Sequence, residues 1–222
     1  MMKDLRQTRG SRKVRDMIAE GEHETQDFKF AISDARKIAR SISAFANNRG
    51  GRLLIGVKDN GAIAGVRNEE DVFVVEQAAE RYCRPAQTVD FKAYRIDGTL
   101  CVIVAEVEAS ADRPVFAGEP DGTWKAYYRV ADENIAAHPL MVRAWQMSAS
   151  AVGGTFSPDG PYSRLMDLLG RKEAISDSRE AALELHISQA AADEAVARLA
   201  SMDLIEFFFE SPSFRIRLKR NQ

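Results

Sequence analysis

The amino-acid sequence predicts an α+β protein. A basic arm (1–15) precedes a mixed-sheet domain (16–147), and a linker (148–160) joins that domain to a small winged helix-turn-helix domain (161–222). Three observations carry this reading. Up to about residue 147, short apolar or alternating runs bounded by glycine and proline turns are interleaved with stretches of helical periodicity. Residues 148–160 are small and polar, with Gly153-Gly154 and Pro158-Asp159-Gly160, the composition of a linker. Three helical patterns and two β-like runs follow, the element order of a winged helix-turn-helix.

Near the start, Val14, Met17 and Ile18 recur at spacings of three and four, which predicts a short helix over 12–20 that Gly21 ends. Residues 25–30 alternate, with Phe28 and Phe30 on one face and Asp27 and Lys29 on the other, the pattern of a strand. Ser33 or Asp34 caps the next helix, and its stripe Ile38, Ile42, Phe45 and Ala46 stops at Asn47-Asn48-Arg49-Gly50-Gly51. Residues 52–57 read as a buried strand, and Asp59-Asn60-Gly61 as a hairpin turn into a strand over 62–66. Val72, Val75, Ala78 and Ala79 predict a helix over 69–82, closed by Pro85. Runs 89–96 and 100–108 form a hairpin about Asp97-Gly98, and 114–117 and 124–130 two more strands about Glu119-Pro120-Asp121-Gly122. The total for this domain is about seven strands and three or four helices. The last domain has helices over 162–169, 178–185 and 188–202, then β runs over 204–209 and 214–218.

With 45% hydrophobic residues the chain buries a core. Two cysteines, Cys83 and Cys101, make no disulfide framework, and no Cys/His cluster has zinc spacing. Apolar runs are strand-sized, too short to cross a bilayer, and the first fifteen residues lack the apolar stretch of a signal peptide. A cytoplasmic location is expected. The 31 Lys+Arg against 33 Asp+Glu give a net charge of −2, which conceals a segregation. Residues 1–15 hold Lys3, Arg6, Arg9, Arg12, Lys13 and Arg15 against Asp4 alone, either a source of phosphate-attracting field beside an acidic body or simply a frayed, solvated tail.

Four groups bear on chemistry. Glu22, Asp27, Lys29 and Asp59 converge if the strands at 25–30 and 52–57 are neighbours; three carboxylates and a lysine then suit a hard divalent cation and a phosphate. The plain alternative is a strand's solvated face. His23 lies close enough to serve as a proton shuttle, against the simpler reading of a surface histidine. Gly50-Gly51 cradles a phosphate or merely caps a helix. No Gly-Lys-Ser/Thr follows Gly56, Gly61 or Gly65, so no Walker A loop supports ATP binding. In the last domain, the helix over 188–202 holds the recognition position but offers Gln189, three alanines, Asp193 and Glu194, a composition suited to packing or dimerisation. The run around Arg215, Arg217, Lys219 and Arg220 suits phosphate contact.

Several of these residues carry a resemblance. Gly21-Glu22-His23-Glu24-Thr25-Gln26-Asp27-Phe28-Lys29, then Ser43-Ala44-Phe45-Ala46-Asn47 with Gly50-Gly51, then Leu54-Ile55-Gly56-Val57 with Asp59, Gly61 and Gly65-Val66, are similar to the Schlafen/AlbA-type domain, also called a divergent AAA or DNA-binding domain. Pro114-Val115-Phe116 and Tyr127-Tyr128-Arg129-Val130 resemble its closing strands. The resemblance covers about residues 15–140 and implies a bacterial regulator in which this domain is joined to a winged helix. In animal relatives it implies a metal-dependent endoribonuclease with the pattern Glu-x4-Glu-x-Lys and a later acid. Glu22 and Lys29 match that pattern, Asp27 is shorter by a methylene than the family's glutamate, Asp59 stands as the later acid, and Lys58 replaces an aspartate.

The leading expectation is a nucleic-acid-binding transcriptional regulator, a homodimer without catalytic activity. It would bind DNA or RNA through Arg12, Lys13, Arg15, Lys29, Arg49, Lys58, Arg129, Arg215 and Arg217, with no membrane partner. The alternative is an endoribonuclease acting on structured RNA, with Glu22, Asp27 and Asp59 holding Mg²⁺ or Mn²⁺ and Lys29 holding the scissile phosphate. A third reading is a nucleotide-binding or dimeric scaffold.

Overall fold

A computed structural model describes residues 8–66, 70–96, 100–148 and 160–219; the Asp97-Gly98 turn, residues 1–7 of the arm and all but the ends of the expected linker lie outside the described residues. The chain divides into two units, 1–136 and 137–222.

The first unit runs β1 (Thr8–Arg9), α1 (Ser11–Ala19), β2 (Gln26–Lys29), α2 (Ala35–Asn47), β3 (Gly51–Ile55), α3 (Glu70–Arg81), β4 (Cys83–Arg84), β5 (Val89–Arg95), β6 (Cys101–Val107), β7 (Phe116–Gly118), β8 (Trp124–Val130) and β9 (Glu133–Ala136). A five-stranded sheet has the order β1-β5-β6-β3-β2 and a four-stranded sheet the order β4-β7-β8-β9. The first is mixed: β1 runs parallel to β5 and β2 to β3, while β3 and β5 each pair antiparallel with β6.

Strand alternation sorts the first sheet's two faces. Leu53, Ile55, Ile103 and Ala105 face α2 and α3, and Phe28, Leu54, Val102 and Val104 face Val14 and Met17 of α1. The four-stranded sheet lays Ala117 and Tyr127 into the same core as α2, so α2 lies between the two sheets. Asp34 starts α2 by accepting from the backbone N–H groups of Arg36 and Lys37 at 2.9 and 3.3 Å. Its end explains the glycine pair. The Gly50 N–H donates to the Phe45 carbonyl at 2.9 Å with φ +77°, and a Cβ there would sit 2.8 Å from the Val107 carbonyl oxygen. A Cβ on Gly51 would meet the Phe45 ring at 2.3 Å, so this turn admits only glycine.

Two polar residues one turn apart on α2 tie it to the second sheet. The Ser43 hydroxyl donates to the Val115 carbonyl at 2.7 Å and accepts from the Tyr127 N–H at 3.0 Å. The Asn47 amide donates to the Val115 and Tyr127 carbonyls at 2.8 and 3.0 Å and accepts from the Val115 N–H at 2.7 Å. Both side chains are fully buried, and these bonds keep the groups they reach from being orphaned.

The helix expected over 12–20 forms as α1 and takes in the basic arm from Ser11 onward, because Val14 and Met17 give it an apolar face to bury. The turn at 58–61 forms, with the Gly61 N–H on the Lys58 carbonyl at 2.7 Å, but 62–66 is no strand. Apart from a single bridge between Val57 and Ile63, its backbone is held by irregular bonds such as those from Ala64 and Gly65 to the Gly56 carbonyl. The short strands β1, β4 and β9 carry too few residues to show a period, and sequence reading passed over them.

The second unit contains α4 (Pro139–Ser148), α5 (Pro161–Arg171), α6 (Ser178–Leu185), α7 (Gln189–Ser201), β10 (Ile205–Glu210) and β11 (Ser213–Leu218). The division after residue 136 differs from the expected boundary near 147. Helix α4 packs on α7 through an Arg143–Glu194 ion pair and a Ser148 hydroxyl bond to the Ser201 carbonyl at 3.1 Å. Leu165, Leu168, Ile175, Ala192, Val196, Leu199, Ile205 and Ile216 form this unit's core. His138 is structural here: it stacks on Phe207 at 5.3 Å, and burial lowers its pKa. Among the described residues no helix is long and apolar enough to cross a membrane.

Candidate nucleic-acid interface

The acidic group expected around β2 is half assembled. Strand β2 is the edge of its sheet, yet Asp27 is only 4% exposed. It faces the α2 layer, where Arg129 of β8 reaches it at 3.4 Å, and Lys29, on the same side of the strand, closes on it at 2.7 Å. Lys29 also donates to the Phe28 carbonyl at 2.8 Å. Glu22 folds back alongside β2, accepting from the Phe28 N–H at 2.8 Å. Burial first, and then a hydrogen bond with the Asp27 carboxyl, raise its pKa above the ordinary value.

Asp59 does not join them. It is exposed in the 58–61 turn, six positions beyond Leu53, the residue paired with Asp27 in the parallel register. Among the described residues no three His, Cys, Asp or Glu side chains are grouped to hold a metal ion. With Asp27 already engaged by two cations, the donors do not fit an Mg²⁺ or Mn²⁺ centre built on Glu22, Asp27 and Asp59. His23 faces Thr25 and Glu20, at 3.3 and 3.6 Å, which gives it no part in a proton relay with Asp27.

Arg129 is the main correction among the expected phosphate contacts. It is 1% exposed and spends its guanidinium on the Asn134 side chain (2.9 Å), the Gln26 carbonyl (3.3 Å), the His23 carbonyl (3.4 Å) and Asp27, with the Phe45 ring beneath at 5.4 Å. A residue so enclosed holds β2 against β8 and cannot meet a polyanion. Gln26, which sequence reading did not single out, works beside it. Its fully buried amide donates to the Met17 and Gly21 carbonyls, both at 2.6 Å, and accepts from Arg52 at 2.6 Å. A glutamine at an inward strand position was the available signal. The Gly50-Gly51 turn offers no phosphate cradle, since its backbone packs against Val107 and Phe45.

The remaining predicted bases fall into separate places. Arg12, Lys13 and Arg15 are exposed on α1, with Lys13 over the Tyr94 ring at 5.6 Å. Lys58 is exposed at the end of β3, its ammonium 5.3 Å from the ring of Phe30, itself 44% exposed beyond the end of β2. These two sets adjoin, because a Cβ on Gly61 would lie 3.1 Å from Ile18, one turn along α1 from Arg15. Lys29 is part-exposed nearby on β2. This rim also carries the exposed acids Asp16 and Asp59. Arg49, also exposed, stands at the opposite end of β3 from Lys58 and does not belong to it.

The bases of the carboxy-terminal hairpin are paired: Arg215 with Glu210 at 2.6 Å, Arg217 with Glu206 at 2.7 Å and Lys219 with Asp203 at 2.5 Å. Helix α7 buries Ala192, Ala195, Val196, Ala197 and Leu199, and Gln189 is held by Ser178 and Asp193. Between Ala191 and Ala200 it has no exposed residue to enter a groove.

A family model described as Schlafen, AlbA_2 matches residues 22–138, a span that takes in β2 to β9 and the whole of the Glu22–Arg129 cluster. Among solved structures, the DIP2311 protein from Corynebacterium diphtheriae is similar at 21% identity and a TM-score of 0.41, over 86% of this chain and 34% of that one. The amino-terminal domain of a RecG-related protein from Nitrosomonas europaea is similar at 18% identity and a TM-score of 0.39, over 60% of this chain and 97% of that one. At such scores neither likeness bears on activity. No match was found among curated proteins.

Proposed function

Because the chain belongs to the Schlafen, AlbA_2 family, we propose that it binds nucleic acid through the α1–Lys58 rim. The observation that supports this most is local. Arg12, Lys13, Arg15 and Lys58 lie exposed on adjoining elements, with an exposed aromatic ring, Phe30, under the Lys58 ammonium. Ammonium and guanidinium groups at such a surface neutralise phosphates and release condensed counterions, and the ring supplies a face on which an unpaired base stacks. Lys29, with two of its three donors taken by Asp27 and Phe28, is on the opposite face of β2 from α1 and lies outside the rim.

In this reading the chain is a regulator, and its carboxy-terminal unit is a winged helix by element order that serves assembly as a homodimer. The covered α7 and the neutralised hairpin favour a role for this unit other than groove reading. The endoribonuclease alternative keeps Glu22, Asp27 and Lys29 but has no third carboxylate grouped with them among the described residues.

The test is anisotropy of labelled single-stranded and duplex DNA and RNA titrated with the protein at several salt concentrations. Binding that weakens steeply with salt supports the proposal. Salt-independent binding, or none to any of these polymers, overturns it. Light scattering of the same samples reports whether the binding species is a dimer.

A further inference from the structure

A second basic surface lies across α2 from the sheet that carries the rim. At one corner of the four-stranded sheet, Arg84 of β4 stands exposed, with its guanidinium carbon 3.9 Å from the centre of the Trp124 ring at the start of β8. The indole in turn lies on Gly118 of β7, where a Cβ would come within 3.3 Å of its six-membered ring. Arg36 of α2 stands beside it. Its guanidinium is 4.7 Å from the Tyr82 ring and donates to the Glu119 carbonyl at 2.6 Å. The Gly118 N–H donates to the Tyr82 carbonyl at 2.9 Å, so both arginine–aromatic pairs are built around one glycine.

Neither Arg36 nor Arg84 is paired with a carboxylate among the described residues, in contrast to Arg40, which Glu119 holds. Lys37 and Lys125 are exposed on the same elements. The acids nearby are Glu119, buried and engaged by Arg40 and Tyr127, Asp121, exposed in the turn and bonded to Thr123 at 2.6 and 2.9 Å, and Asp34, exposed but accepting from the Arg36 and Lys37 backbone N–H groups.

We propose that this Arg84–Trp124 and Arg36–Tyr82 corner is a second nucleic-acid contact, taking the phosphates and an unpaired base of a single strand. The inference rests on nucleic-acid binding by the chain but not on the α1–Lys58 rim. The aromatic contact restrains each guanidinium before a ligand arrives, so less rotamer freedom is lost on binding. Its N–H edges suit phosphate oxygens bidentately, and its open face is one on which a base stacks. An acidic peptide would use the charge but not the planes.

The chain has two tryptophans, Trp124 and Trp145, so Trp145→Phe leaves Trp124 as the only indole. This variant is titrated with an unlabelled single-stranded oligonucleotide while tryptophan emission is read. In parallel, anisotropy of the labelled strand is followed with the parent, Arg84→Ala and Arg84→Lys. The expected result is a saturable change in Trp124 emission, reversed by salt, and an affinity about tenfold weaker in Arg84→Ala. Arg84→Lys recovers little of the loss, because lysine restores charge without the plane. Should the Trp145→Phe variant fail to fold, the two Arg84 variants decide alone. Strand binding that leaves Trp124 emission unchanged, with both Arg84 variants equal to the parent, overturns this contact and leaves the rim standing. The same emission change with polyglutamate also overturns it, in favour of an acidic protein partner. Absence of any binding by anisotropy removes both proposals together.

Discussion

The α1–Lys58 rim and the β10–β11 hairpin are alike in sequence and unlike in what they offer a polyanion. Each gathers lysines and arginines, the rim from residues 12–15 and Lys58 and the hairpin from 215–219. In the hairpin, Arg215, Arg217 and Lys219 each close on an acid, Glu210, Glu206 and Asp203, and Arg217 does so even though it also lies over the Phe208 ring at 4.4 Å. In the rim, Lys58 and Lys13 lie over the rings of Phe30 and Tyr94. A base held by a carboxylate gives little net field, whereas a base over an aromatic ring keeps its charge while its stem is fixed. Arg129 is a third case, a base enclosed by the fold. The number of basic residues in a segment therefore says less about a nucleic-acid partner than what those residues already touch.

The largest effect expected from breaking this contrast is at Arg129. Arg129→Ala leaves buried Asp27 with Lys29 alone and strips partners from Asn134 and from the Gln26 carbonyl, a loss expected at the low end of the range of about 3–5 kcal/mol that breaking a buried pair costs. Chemical denaturation of variant and parent measures it, and a loss below 1 kcal/mol would contradict the enclosed role. Next comes Lys58→Ala, which is expected to leave the melting temperature unchanged and weaken single-strand binding roughly fivefold, with a salt slope shallower by about one. A variant that binds like the parent would detach Lys58 from the interface.

A smaller effect is expected at Glu22. Its pKa is raised in the fold, so the native chain binds that proton more tightly than the unfolded chain does. The resulting stability is present at low pH and is lost as the pH rises from the ordinary 4.5 through the raised folded value. Glu22→Gln keeps an acceptor for Phe28 and a donor for Asp27. The variant is therefore expected to melt at or above the parent near neutral pH, with the gap closing towards about pH 4. A gap that instead widens on acidification would reverse the assignment. The smallest effect is at Arg215→Ala and Arg217→Ala, because exposed ion pairs contribute about 0–1 kcal/mol and these bases are already neutralised. Affinity for nucleic acid should stay within about twofold of the parent, and a tenfold loss would show that the hairpin's pairs open onto phosphate.

Much of this fold was legible in the sequence, where the signal is local. The stripe Ile38, Ile42, Phe45, the Asp34 cap and the Gly50-Gly51 stop are short-range features, and α2 follows them. The alternation of 25–30 and the apolar 52–57 mark β2 and β3, which pair in parallel, and the two-residue period of β2 puts Asp27 and Lys29 on one face. What was not legible depends on residues far apart in the chain. Ser43 and Asn47 look like ordinary helix polar residues until Val115 and Tyr127, some seventy to eighty positions on, supply their partners. Arg129 reads as an exposed strand base until Asp27, Gln26 and Asn134 surround it. The third carboxylate failed for the same reason: a motif position sets residue type, but the 58–61 turn sets where Asp59 goes. In the hairpin the opposite charges were visible, and only the register, Glu206 facing Arg217, shows that they cancel.

The central claim, that the α1–Lys58 rim is the phosphate-binding surface, is tested most directly by the slope of log affinity against log salt for the parent and for a variant with Arg12, Lys13, Arg15 and Lys58 all changed to alanine. The expected result is a steep parent slope that falls by about three to four units in the variant, one for each base removed, with the melting temperature retained. A folded variant whose slope equals the parent's would contradict it.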